Sequence, residues 1–151
     1  YVAITSSSDE KLEKAKALGA DFIVNYKAEP EWGSAVNAWS GEKGVDHVVE
    51  VGGPATLAQS INACRVNGNI VLIGVLTGVK GDVPTAALMA KQINLKGIIV
   101  GSREHQNDFV NALEASGIKP VIDTSFSLDE LAKAFEYEVN GKHFGKICID
   151  I

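Results

Sequence analysis

Short apolar runs alternate with amphipathic stretches along most of the chain, and the alternation predicts its elements. Val2-Ala3-Ile4-Thr5 reads as a buried strand. Ser7-Ser8-Asp9-Glu10 carries the signature of a capping box, with the Ser7 hydroxyl and the Glu10 carboxylate placed to satisfy free amide donors. The helix it opens runs to Leu18, burying Leu12, Ala15 and Leu18, and Gly19 ends it. Phe22-Ile23-Val24 is a second short strand. Pro30 suits the first turn of a helix that continues through Trp39, and Gly41 and Gly44 break it. Val45 to Val51 predicts a third strand. Gly52-Gly53-Pro54 starts a helix with Leu57, Ile61 and Cys64 on one face. Asn67-Gly68 turns the chain into the strand Ile70 to Ile73. A short helix falls within residues 85–91, a strand at Leu95 to Val100, and a helix at Asp108 to Ala115 with Phe109, Ala112 and Leu113 facing inward.

Strands joined by helical crossovers imply an α/β fold whose mainly parallel, doubly wound sheet is covered on both faces. Such sheets bind ligands at the carboxyl ends of their strands. Those ends are Thr5-Ser6, Asn25-Tyr26, Val51-Gly52-Gly53, Gly74-Val75 and Gly101-Ser102. Four of the five carry glycine or small hydroxyl residues, as close backbone approach by a ligand requires. The tail changes character: Val121-Ile122 is strand-like, Leu128 to Val139 reads as a helix with a second capping box from Ser127 and Glu130, and Gly145 to Ile151 is a final apolar strand. A boundary near Ser116 to Pro120 divides the chain into 1–117 and 118–151.

Composition narrows the classes. The chain has 151 residues, 46% hydrophobic and 22% charged, which suffices for a packed core. A net charge of -5 and the lack of a Lys/Arg cluster argue against a nucleic-acid surface. The longest apolar runs are far short of a membrane span. Cys64 and Cys148 are isolated, as are His47, His105 and His143, so neither a disulfide framework nor a metal-ligand spacing is present. A reducing, cytoplasmic setting is the expectation.

The chain opens on a strand with only Tyr1 before it and no glycine-rich loop, and it therefore reads as a piece of a larger protein. Five segments point the same way: SSSDEKLEKAKALGAD, GVDHVVEVGGPATLAQSI, NGNIVLIGVLTG, LKGIIVGSR and KPVIDTSFSLDELAKAF with HFGKICIDI. In this order, and over nearly the whole chain, they resemble the C-terminal half of medium-chain, zinc-type alcohol dehydrogenase-like and quinone oxidoreductase-like proteins. The resemblance implies that residues 2–115 or so belong to a Rossmann-type cofactor domain lacking its first strand and glycine-rich turn. It implies that the tail returns to a catalytic domain, and that any catalytic zinc lies in an N-terminal domain outside this sequence. The activity implied is hydride transfer between a nicotinamide cofactor and a small alcohol, carbonyl or activated alkene, the isolated piece being inactive.

In a dinucleotide site the end of the second strand reads the adenosine ribose, an acid selecting NAD and hydroxyls with a cation selecting NADP. Here Ser6 and Ser7 end the first strand of the chain, with Lys11 one turn into the helix, so NADP is expected over NAD. Ser7 has simple capping as its other role, and Asp9 and Glu10 are acids within reach of a ribose. Tyr26 is either a ring near the adenine or an ordinary edge residue. Val51, Gly52 and Gly53 are expected beneath the ribose and pyrophosphate, and Glu50 either bonds a ribose or is simply a polar strand end. By resemblance, Gly74, Val75 and Leu76 with Val100, Gly101 and Ser102 flank the nicotinamide. Arg103 and Lys146 are either phosphate contacts or solvated charges. No residue presents itself as a catalytic acid or base.

Two other readings share the layout: a nucleotide-sensing or structural domain without chemistry, and an adenosyl-methionine methyltransferase, which leaves the five segments unexplained. The resemblance also implies a homodimer through the edge strand Leu95 to Val100. Finally, a 3-2-1-4-5-6 strand order puts an absent strand between Val2–Thr5 and Val45–Val51. Unpaired buried backbone groups are costly, so these two strands are expected to pair directly, or a strand from another chain or a bound peptide is expected between them.

Overall fold

A computed structural model describes all residues, 1–151, as two compact units, Tyr1–Val100 and Gly101–Ile151. The first unit runs β1 (Ala3–Ser6), α1 (Asp9–Ala17), β2 (Phe22–Asn25), α2 (Trp32–Trp39), β3 (Val45–Glu50), α3 (Pro54–Ala63), β4 (Cys64–Leu72), α4 (Thr85–Ala90) and β5 (Asn94–Gly97). The second runs α5 (Arg103–Ser116), β6 (Ile122–Ser127), a 3-10 turn at Leu128–Glu130, α6 (Leu131–Val139) and β7 (Lys146–Asp150). All strand pairings are parallel, as helical crossovers dictate. No helix is long and apolar enough to cross a membrane.

β1 pairs with β2 in the register Ala3↔Phe22 to Ser6↔Asn25. β3, β4 and β5 form a separate three-stranded sheet in that order. Two apolar clusters hold the unit. Leu57, Ile61, Cys64 and Ile70 are buried, with Val48, Leu88, Ile93 and Leu95 packed on them. Val24, Val36 and Ala63 gather Ala3, Phe22, Trp32 and Val45, and so join the two sheets through α2 and α3. The Phe22 and Trp39 rings stack with centroids 5.3 Å apart.

Four expectations are corrected here. β1 and β3 do not pair with each other; each has one hydrogen-bonded neighbour. Thr5, Asp46, His47 and Val49 along these edges are exposed, so the strands border solvent and the cost of burying unpaired backbone groups does not arise. Second, within the first unit α3 and α4 lie on the same face of the three-stranded sheet. Val48, Ile70 and Leu95 face the cluster under α3 and α4, whereas Val49, one residue on, is 67% exposed. Right-handed crossovers advancing in one direction place both helices on the same side. Third, Asn67-Gly68 does not precede β4 but lies inside it. β4 starts at Cys64, and the irregularity is taken up between the pairs Val45↔Cys64 and His47↔Asn69, with Asn67 at φ 57. Fourth, α5 starts five residues earlier than the periodicity suggests and buries none of its residues; Phe109 is 62% exposed.

In the second unit β6 and β7 pair, and the Asp123 carboxylate ties them to α6. It accepts from the Tyr137 hydroxyl at 2.7 Å and from the Phe144 amide at 2.9 Å. The capping box expected of Ser127 and Glu130 does not form. The Ser127 side chain caps no amide; its hydroxyl donates to Glu130 Oε2 at 3.5 Å, and Glu130 also pairs with Lys133 at 2.8 Å.

Candidate functional site

The first group of expected site residues gathers at the carboxyl ends of β1 and β2. The Tyr26 amide donates to the Ser6 carbonyl at 3.1 Å, which sets these two residues side by side. The Ser6 hydroxyl accepts from the Ser8 amide at 3.2 Å. The cap of α1 is Ser8 rather than Ser7: Ser8 has extended backbone, and its hydroxyl accepts from the Lys11 amide at 3.3 Å. The one-residue difference removes capping as the explanation of Ser7. Lys11 stands in the first turn of α1 and Tyr26 is 39% exposed. The two acids that complicated this corner are both engaged. Asp9 accepts from the Asn25 side-chain amide at 2.6 Å. Glu10 pairs with Lys14 at 2.8 Å, and that hydrogen bond, with the ammonium charge, holds its carboxyl below the usual range.

The second group lies at the ends of β3 and β4. Val51 is half exposed, and Gly53 has φ 92, a conformation that favours glycine. The two turns press together backbone to backbone. A Cβ on Gly74 would fall 2.2 Å from the Val51 carbonyl oxygen, so only glycine fits there. Thr77 latches the second turn onto the first. Its hydroxyl donates to the Gly52 carbonyl at 2.9 Å and accepts from the Ala55 amide at 3.0 Å. Val75 and Leu76 are exposed beside this seam, 51% and 84%. Glu50, left open between a ribose contact and a polar strand end, is the last residue of β3, 3% exposed and turned inward.

The third group is divided. Val100 closes the first unit at φ 30, unusual for a β-branched residue, and Gly101 and Ser102 open the second. Ser102 caps α5, accepting from the His105 amide at 3.2 Å while its own amide donates to His105 Nδ1 at 3.3 Å. A capping box with histidine in the usual Glu/Gln place escapes a search for acids. Arg103 and Lys146 are the first residues of α5 and β7. Missed altogether from sequence was Thr77, whose role depends on two turns meeting in space.

No three His, Cys, Asp or Glu side chains come together, so these residues do not fit a zinc site. Cys64 is buried within the apolar cluster, which pushes its thiol up, and Cys148 lies in the other unit.

Comparison with known proteins fits this geometry. A family model described as zinc-binding dehydrogenase matches residues 1–118. The chain is 42% identical to a zinc-type alcohol dehydrogenase-like protein of Schizosaccharomyces pombe, over 99% of the chain and 44% of the relative. Among solved structures, one described as an alcohol dehydrogenase of Sinorhizobium meliloti superposes with a TM-score of 0.90 at 40% identity, over 99% of this chain and 43% of that one. A structure described as an NAD-dependent alcohol dehydrogenase superposes with a TM-score of 0.87 at 31% identity, with the same two coverages. The chain thus spans less than half the length of the relatives it matches. Parallel strands with open glycine-rich carboxyl ends, five segments in the expected order and a family match over most of the sequence lead to one assignment: the chain belongs to the zinc-binding dehydrogenase family.

Proposed function

We propose that this chain is the cofactor-binding part of an NADP-dependent oxidoreductase acting on a small alcohol, carbonyl or activated alkene. Residues 1–117 form the partial dinucleotide-binding domain, and 118–151 return to the catalytic domain. The observation that carries the NADP reading is the corner at the end of β1. Ser6, Ser7, Lys11 and Tyr26 supply hydroxyls, a cation and a ring, while Asp9 is held by Asn25 and Glu10 by Lys14. A 2′-phosphate carries up to two negative charges and suits a cation at a helix N-terminus better than a ribose acid does. Val51, Gly52, Gly53, Gly74, Val75 and Leu76, together with Val100, Gly101 and Ser102, hold the rest of the cofactor. The bound nicotinamide supplies hydride transfer. The protein's part is an apolar wall and backbone groups that fix the ring. Any zinc of the parent is held outside these residues.

NAD is the second reading, favoured by the likeness to a structure described as NAD-dependent. Titration of the full-length protein separates the two. Lys11→Ala should weaken NADPH binding by about 1 to 2 kcal/mol and leave NADH nearly unchanged; equal losses for both would overturn the NADP assignment. The 151-residue chain alone should show no dehydrogenase activity. The parent acts as a cytoplasmic homodimer joined along the β5 edge, an arrangement supported by the place of β5 at the border of its sheet.

A further inference from the structure

Glu50 ends β3 with its carboxylate inside the protein. Oε1 accepts from the Gly52 amide at 2.7 Å, the Gly53 amide at 2.9 Å and the Thr56 hydroxyl at 2.6 Å. Oε2 accepts from the Ser60 hydroxyl at 2.5 Å. A carboxylate only accepts and has about four sites for donors, and all four partners are donors. Thr56 and Ser60 stand one turn apart on α3, so the helix itself presents both hydroxyls to β3.

Two successive amides converging on one oxygen at the start of a helix make a nest of the kind that receives a ligand's anion. In this chain the nest is filled from within. The remaining donors at the start of α3 are also taken. Pro54 has no N–H, Ala55 donates to Thr77 Oγ1, and Thr56 and Leu57 donate to the Gly53 carbonyl. A phosphate at this turn would meet no available amide and would face the Glu50 charge. The sequence-based expectation of a pyrophosphate seat at Gly52-Gly53 therefore meets a turn already supplied with its own anion.

We propose that Glu50 is a positioning residue that plugs the anion nest of the β3–α3 turn, so that the turn rejects phosphate and is held as a fixed wall for an uncharged part of the ligand. The plug stands on the hydrogen bonds alone; the ligand it serves rests on the cofactor reading above.

Hydrogen exchange across residues 50–56 of the whole chain tests the plug. In the unsubstituted protein the Gly52 and Gly53 amides should exchange at least about 100-fold more slowly than in an unstructured peptide. Inorganic phosphate should not change their rate. E50Q keeps an acceptor and should keep most of that protection. E50A should lose it, and formate, the size of the deleted group, should restore it saturably and raise the melting temperature of E50A but not of the other two proteins. Formate rescue is a response that a merely space-filling role would not give. Unprotected amides in the unsubstituted protein, slowing by phosphate in its presence, or a folded E50A indifferent to formate would each overturn the proposal. If E50A does not fold, the first two of these and the E50Q exchange decide it. NADPH titration of the full-length protein is read separately: no change at residues 51–53 would overturn the cofactor reading and leave the plug standing.

Discussion

Lys91 shows how a single residue closes an element that its own sequence leaves unfinished. α3 carries no basic residue in its last turn and ends without a glycine. The Lys91 ammonium arrives from the end of α4 and donates to the carbonyls of Ile61, Asn62 and Cys64 at 3.0, 2.7 and 2.9 Å. Its three donors meet three carbonyls at the negative end of a helix. Desolvation by burial pushes its pKa below the usual lysine value. Lys91→Met should leave those carbonyls short of partners and lower stability by about 1 to 2 kcal/mol in urea denaturation; a change within experimental error would show that solvent replaces the ammonium. Cys64, 0% exposed under the same helix end, should resist a thiol reagent that modifies the half-buried Cys148, and should react only on unfolding. Equal rates for the two thiols would contradict the packing. Contacts of this kind were not legible in the sequence. Glu50, Thr56 and Ser60 are spaced by six and four, and only the β3–α3 turn brings them together. Leu57, Ile61 and Ile70, by contrast, were readable as core from periodicity alone, because burial follows the helical face and the strand run.

Helix starts separate what local sequence determines from what it leaves open. Four consecutive polar residues, Ser6 to Asp9, offer several caps, and the backbone selects the one with extended φ and ψ, Ser8. Ser8→Ala should therefore cost about 1 kcal/mol of stability, whereas Ser7→Ala should stay within about 0.5 kcal/mol; the reverse order in thermal or chemical unfolding would restore Ser7 as the cap. The long helix α5 was predicted short and inward-facing because Phe109, Ala112 and Leu113 share a stripe. Its start depends on Ser102 and His105, and its apolar stripe is not buried within this chain. Periodicity reports which face is apolar, not whether a partner covers it. The strand β4 gives the converse lesson. An Asn-Gly pair is a turn signal, yet the neighbouring β3 keeps this one within a strand as an irregularity.

For the molecule as a whole, the alternation of strands and helices carried the α/β class, and five segments carried the family; the division of the sheet into separate parts did not show in either. The face of β3 and β4 that presents Val49 and Ile73, 67% and 48% exposed, adds to edges at β1, β3 and β5 that have a single paired side. Apolar patches and unpaired edges promote association. The isolated chain should sediment as self-associated species at micromolar concentration, and Val49→Lys should reduce that association; a monomer with no concentration dependence would contradict this.

The central claim is that a nicotinamide dinucleotide lies along the carboxyl ends of β1 to β4. Hydrogen exchange of the full-length protein with and without NADPH tests it most directly. The account predicts slowed exchange in three stretches, residues 6–11, 51–53 and 74–76, and a smaller effect at 6–11 with NADH. Protection confined to other parts of the protein, with these three stretches unchanged, would contradict it.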